Sequence, residues 1–161
     1  MFESPRVKVC HFTPGYVVLL VLSISALILS CGPKTEIRET LFTNGQVKEH
    51  WQVIRDDDQN YLAHGRYVSW YENGQKLQEE TWVDGKLNGQ FITWYENGMK
   101  KQAGYYVDGL MQGLYREWAP DGIKIVEGLM EAGKQQGKWT YWDENGNIFK
   151  QEDYQDGELI E

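Results

Sequence analysis

The chain has 161 residues, 41% hydrophobic and 25% charged, which allows one modest domain and excludes a chain disordered by composition. A formal charge of -8 and a pI near 4.9 exclude the basic stripe that displaces counterions from nucleic acid, and disfavour an anionic lipid surface for the same reason. Seven Trp, ten Tyr, five Phe and 17 Gly predict strands joined by tight turns rather than helices, since aromatics suit strands and Gly supplies left-handed turn positions.

At the N-terminus, Arg6 and Lys8 precede the uncharged run Tyr16 to Ser30, YVVLLVLSISALILS, and Cys31 follows directly. The run is shorter than the ~20 residues that usually span a bilayer, so residues 1–30 are expected to be a cleaved signal peptide. Ile28-Leu29-Ser30-Cys31 resembles a bacterial lipobox, although Leu29 stands where a small or β-branched residue is usual. The resemblance implies a lipid on Cys31, residues 31–35 as a tether, and attachment to a bacterial membrane of the cell envelope, the outer membrane in a Gram-negative host. An uncleaved anchor and an ordinary secreted chain are the alternatives. Cys10 would leave with the signal peptide, so the mature chain would have no disulfide.

Residues 36–63 read as a degenerate first hairpin followed by an acidic loop. Leu41-Phe42-Thr43-Asn44-Gly45 matches the bends that come later, while Val53 to Ala63, with Asp56-Asp57-Asp58, breaks their spacing. From residue 64 onward the chain repeats with a period of 24: Gly65, Gly89, Gly113 and Gly137 form one column, Gly74, Gly98, Gly122 and Gly146 a second, and Gly85, Gly109, Gly133 and Gly157 a third. Between them run an aromatic column, Tyr67, Phe91, Tyr115 and Trp139, and a Trp column, Trp70, Trp94, Trp118 and Trp142. The units are 64–88, 89–112, 113–136 and 137–161.

Each unit predicts a β-hairpin: a strand such as Arg66 to Tyr71, a bend ending in Gly74, a return strand to Val83, then Asp84-Gly85 and a short link. Pro120 in the third bend fits the second position of a type I turn and would cost a ladder N–H beside a two-residue loop, so a three-residue loop with a Gly bulge is expected. In that register paired residue numbers of the first unit add to 146, and Trp70 faces Lys76, Trp94 faces Lys100, Trp118 faces Lys124 and Trp142 faces Ile148. A Lys stem across the indole of its own hairpin is then a recurring contact.

These units, as in GRYVSWYENGQKLQEETWVDGKLNG and GQFITWYENGMKKQAGYYVDGLMQG, resemble the variant MORN repeat family of bacterial proteins, often labelled as antitoxin components of toxin-antitoxin systems. Ala119-Pro120, Asp143 and Met130-Glu131-Ala132 depart from the family's usual residues. The resemblance implies an all-β repeat protein, consecutive antiparallel hairpins of 24-residue period in an elongated single-layer sheet, and it implies no catalytic residues.

Competing chemistry finds little support. His50 and His64 have no Cys partner and no spacing that gathers metal ligands, so no zinc site is expected. Asp56-x-Asp58-x-Asn60 begins like a calcium loop, but Tyr61 and Tyr67 stand where Gly and Glu are needed. Glu79 and Glu80 are adjacent on a strand and point to opposite faces, which is wrong for glycoside hydrolysis. No enzymatic activity and no cofactor are expected. Two function classes remain. The first is a protein-interaction module of the cell envelope, antitoxin-like if the family labelling carries over, binding through Tyr67, Trp70, Phe91, Trp94, Tyr115, Trp118, Trp139 and Trp142. The second is a glycan or peptidoglycan binder using the same aromatic rows.

Overall fold

The structure is a computed structural model and describes residues 34–160; the expected signal peptide and Cys31 lie outside the described residues. Among these, every regular element is a strand: β1 (Glu36–Leu41), β2 (Val47–Arg55), β3 (Tyr61–Ala63), β4 (Gly65–Trp70), β5 (Lys76–Val83), β6 (Lys86–Leu87) and β7 (Gly89–Trp94), followed by β8 (Lys100–Val107), β9 (Leu110–Met111), β10 (Gly113–Trp118), β11 (Lys124–Glu131), β12 (Lys134–Trp142), β13 (Ile148–Gln155) and β14 (Glu158–Leu159). They form one antiparallel sheet in the order β1-β2-β4-β5-β7-β8-β10-β11-β12-β13-β14, with β3, β6 and β9 pairing beside β2, β5 and β8. The expected consecutive hairpins in a single layer are therefore present, including the first, degenerate one.

The bends follow the turn chemistry of the sequence. In the first full unit Gly74 N–H donates to the Tyr71 carbonyl at 3.0 Å and Tyr71 N–H donates to the Gln75 carbonyl at 2.8 Å, which closes a loop of Glu72, Asn73 and Gly74. Gly74 has φ of 84°, the left-handed conformation of a G1 bulge. The Asn73 side-chain oxygen accepts from Gln75 N–H at 2.9 Å, and Asp121 does the same for Ile123 at 3.0 Å in the Pro120 bend. Asp84-Gly85 forms a second, tighter turn with both residues at positive φ, the type I′ geometry that returns the chain into β6.

One expectation about register is corrected. Trp70 does pair with Lys76, as do Trp94 with Lys100, Trp118 with Lys124 and Trp142 with Ile148. The ladder does not continue unbroken, because Ser69 pairs with Gln78 and Gly65 with Trp82, leaving Leu77 as a bulge. A residue pattern does not distinguish one bulge in a loop from a second one just inside the strand, since both preserve the local hydrogen bonding at Trp70.

Units are joined through recurring backbone bonds: Gly85 N–H to Ala63 O, Gly109 to Leu87, Gly133 to Met111 and Gly157 to Gln135, all at 2.8 to 3.0 Å. The well-covered apolar residues are Val53, Ile54, Val68, Phe91, Val126 and Trp139. The acidic segment forms the β2–β3 loop, where the Asp56 carboxylate accepts from Asn60 N–H at 2.8 Å and from Asn60 Nδ2 at 3.3 Å.

Candidate interaction surface

Side chains alternate across a strand, so residues three apart face opposite ways. The two aromatic columns, three residues apart, are accordingly divided. Pairings of Tyr67 with Glu80, Phe91 with Gly104, Tyr115 with Gly128 and Trp139 with Glu152 put the first column on one side, here the Phe91 face. Trp70, Trp94, Trp118 and Trp142 lie on the other, the Trp94 face. The eight candidate residues do not make one surface.

The Phe91 face is where much of the core lies. Phe91 packs on Tyr106 with ring centroids 5.1 Å apart, Tyr115 stacks on Trp139 at 6.0 Å, and Trp139 meets Tyr154 edge-on at 6.2 Å. The rings lie flat because the sheet beneath them is glycine. A Cβ on Gly104 would stand 2.5 Å from Phe91, and one on Gly128 would stand 2.1 Å from Trp139. Burial pushes the Tyr115 hydroxyl pKa well above its usual range, with the nearby Glu117 adding to the shift. Phe91 and Trp139 thus serve packing, with 7% and 5% of their surface exposed.

The Trp94 face carries charge as well as rings. Glu79 accepts from Arg66 Nε at 2.8 Å and from Lys76 Nζ at 2.7 Å, and Glu127 accepts from Arg116 Nε at 2.7 Å and Lys124 Nζ at 2.9 Å. These donors, the arginine foremost in each case, hold both carboxyls below the usual carboxylate range. Lys76 reaches the Trp94 ring at 5.4 Å and Lys124 the Trp142 ring at 4.7 Å. The expected lysine–indole contact is therefore made with the next unit, not within the hairpin. β5 has a strand on each side, and hairpin register specifies one neighbour of Lys76 but not the side toward which its flexible stem leans.

The middle of the Trp94 face holds residues outside the periodic columns. Leu114 pairs with Leu129, and the Ala103–Arg116 pairing continued by two residues puts Tyr105 beside Leu114. Tyr105, Leu114 and Leu129 are 47%, 42% and 46% exposed, an apolar row across β8, β10 and β11. Tyr105 and Leu114 also border a shallow hollow of about 290 Å³ with Ala103 and Arg116. The equivalent positions in the outer units are Thr81 and Asp153, Arg66 and Lys138. That switch from polar to apolar in otherwise variable columns was the available signal.

On the Phe91 face near the first full unit, an open cleft of about 310 Å³ is bounded by Glu49, Trp51, Tyr67 and Trp82. Glu49 accepts from Thr40 Oγ1 at 2.7 Å and from the Tyr67 hydroxyl at 3.1 Å, and the threonine bond foremost holds its carboxyl below the ordinary value. Across the ladder from Tyr67, Glu80 accepts from Gln78 Nε2 at 2.5 Å and Trp82 Nε1 at 3.1 Å. Desolvation raises the Glu80 pKa above the usual carboxylate value. His64, elsewhere, faces Asp84 at 3.1 Å, and His50 faces Glu39 at 2.9 Å. Among the described residues no group of three His, Cys, Asp or Glu is placed to hold a metal ion.

Among curated proteins, none matches the chain. The third unit folds like its neighbours although its bend and return strand depart most in sequence. Three segments, residues 63–84, 87–108 and 135–156, match the family described as the MORN repeat variant.

Proposed function

We propose that the chain is a non-enzymatic interaction module of the bacterial cell envelope, lipid-anchored through Cys31 and docking a protein partner on the Trp94 face. The observation that carries this reading is the Tyr105–Leu114–Leu129 row. A contiguous apolar row on a monomeric surface is characteristic of protein interaction sites, and a single sheet has no second layer to cover it. Repeats of the MORN type support an interaction role, and the uncharged run before Cys31 supports the envelope location.

The test is crosslinking in native membranes followed by identification of what is captured. Leu114→Lys combined with Leu129→Lys is expected to remove the captured partner while leaving the circular dichroism spectrum unchanged. Capture that survives both substitutions rejects the row as the docking surface. Lipid labelling that persists in Cys31→Ser rejects the anchor. An antitoxin-like role, which rests on the labelling of similar proteins, requires that the exported chain relieve killing by a cognate toxin.

Glycan binding is the second reading. The specific observation in its favour is the cleft between Trp51, Tyr67 and Trp82, because sugar rings stack on such faces. Sedimentation with purified peptidoglycan, lost in Trp51→Ala, would support it, and the absence of co-sedimentation would reject it.

A further inference from the structure

On the Trp94 face the first three full hairpins each set a lysine in the row of tryptophans: Lys76 opposite Trp70, Lys100 opposite Trp94 and Lys124 opposite Trp118. Two of these lysines are held by a glutamate three residues further along the same strand. Lys76 Nζ lies 2.7 Å from Glu79 Oε2, and Lys124 Nζ lies 2.9 Å from Glu127 Oε2. Each glutamate also takes a guanidinium, Arg66 Nε at 2.8 Å for Glu79 and Arg116 Nε at 2.7 Å for Glu127. The arginines reach from different ladder positions, Arg66 diagonally and Arg116 from directly across. The recurring element is therefore a carboxylate between one lysine and one arginine.

In the second hairpin the residue three beyond the lysine is Ala103. Lys100 is exposed, and among the described residues it makes neither an ion pair like those of Lys76 and Lys124 nor their ring contacts. Arg116 still flanks this position, since it pairs with Ala103 on β8 as well as with Glu127 on β11. Its Nε is taken by Glu127, while its two Nη groups make no hydrogen bond among the described residues. Ala103 ends in a methyl, and with Arg116, Tyr105 and Leu114 it borders the hollow of about 290 Å³. Lys100 is not part of that wall, but its reach over position 103 is the one that Lys76 has over Glu79. Charge on this face also runs against that of the whole chain. In the three rows through Trp94, Ala103 and Tyr105, the four hairpins carry Arg66, Lys76, Lys100, Arg116, Lys124 and Lys138 against Glu79, Glu127 and Asp153. All three carboxylates are already paired, and Lys100 is left without one.

We infer that the hollow beside Ala103 takes the carboxylate of a glutamate on a partner protein, held by Lys100 Nζ and the Nη groups of Arg116 as Glu79 and Glu127 are held in the units to either side. Charge complementarity selects this occupant, because a neutral side chain leaves Lys100 without a counter-charge and a basic one adds repulsion. The neighbouring apolar row sets a second requirement. Ala103 and Tyr105 are about 7 Å apart by strand rise, the spacing of alternate residues in an extended chain, so an apolar side chain two residues from the glutamate lies over Tyr105 and Leu114. The inference rests on the protein-docking reading of the Trp94 face and names the chemistry of its partner.

The test uses the full-length chain in uncharged detergent micelles, titrated with acetyl-Leu-Gly-Glu-Gly-Leu-amide and followed through the methyl signals of Ala103 and Leu114. The glutamate peptide is expected to shift both signals and to bind about two- to fivefold more tightly than its glutamine counterpart, the worth of an exposed ion pair. Raising the salt to about 1 M is expected to close that gap. Lys100→Gln removes the preference, and so does Ala103→Glu, which supplies in cis the carboxylate that Glu79 and Glu127 supply. Lys150→Gln, the same charge change on the other face, leaves it intact. The inference is overturned by equal binding of the two peptides, by a preference that survives Lys100→Gln or Ala103→Glu, or by no methyl shift with either peptide. Self-association that depends on Lys100 in the absence of peptide also overturns it, by assigning the site to a second copy of the chain. Capture in native membranes that is lost in Leu114→Lys with Leu129→Lys, yet unchanged in Lys100→Gln, keeps the docking row and rejects the glutamate.

Discussion

At the scale of single residues, two kinds of glycine do different work. A methyl added at Gly74 would meet open space, but the backbone there is left-handed, so Gly74→Ala should cost only about 1–2 kcal/mol, the local conformational penalty. Gly128 has ordinary backbone geometry but lies under the Trp139 ring, and there an added methyl must displace a buried indole. Gly128→Ala is expected to destabilise by about 1–3 kcal/mol and to alter the near-ultraviolet circular dichroism of the tryptophans, as overpacking does. A denaturant melt that leaves the midpoint of Gly128→Ala unchanged would contradict the flat packing of Trp139 on the sheet.

Glu80 gives a pH dependence of the opposite sign to that of most paired carboxylates. Its pKa is raised by burial, so the folded state prefers the protonated form, and its unfavourable contribution grows as pH rises from the ordinary value near 4.5 through the raised one. Glu79 and Glu127, lowered by their arginine partners, contribute stability above 4.5 that is lost as pH falls through their folded values. Glu80→Gln is therefore expected to raise the melting temperature at neutral pH and to lose that advantage in acid. An advantage that grows on acidification would show that burial is not what governs Glu80.

At the scale of the hairpin, the Tyr-Glu-Asn-Gly bend is more than a turn. The Tyr71 hydroxyl donates to the Trp94 carbonyl at 2.9 Å and Asn73 Nδ2 to the Glu96 carbonyl at 2.8 Å; Tyr95 and Asn97 repeat this toward Trp118 at 2.8 Å and Pro120 at 2.7 Å. The first two full bends are thus each fastened to the next one. Ala119 and Asp121 replace the two donors in the third unit, and neither side chain can supply the bond. Tyr95→Phe is expected to cost about 0.5–1.5 kcal/mol, the net worth of one hydrogen bond, measured by chemical denaturation. A neutral Tyr95→Phe would mean that water serves the Trp118 carbonyl equally well.

For the molecule as a whole, residues 34–160 form a sheet whose hairpins touch chiefly their neighbours, so stability accumulates from unit to unit as in other repeat proteins. The ends have one neighbour each: β1 bounds the sheet on one side, and the two-residue β14 pairs only with the end of β13 on the other. Amide hydrogen exchange is expected to be slowest in β5, β7, β8 and β10 and fastest in β1 and the outer half of β13. Uniform protection across all strands would indicate a single cooperative unit instead.

Sequence by itself determined the fold class and the loop type, because turn positions demand particular residues and a 24-residue period repeats those demands. Gly74 and Pro120 carried that information locally, and so did the strict Trp column. Tertiary structure alone decided the bulge at Leu77, the neighbour toward which Lys76 leans, the tie from Tyr71 to the next unit and the openness of Tyr105, Leu114 and Leu129. The physical reason is that local chemistry specifies a hairpin, whereas what a side chain meets depends on the strands to both sides and on which face the sheet leaves uncovered.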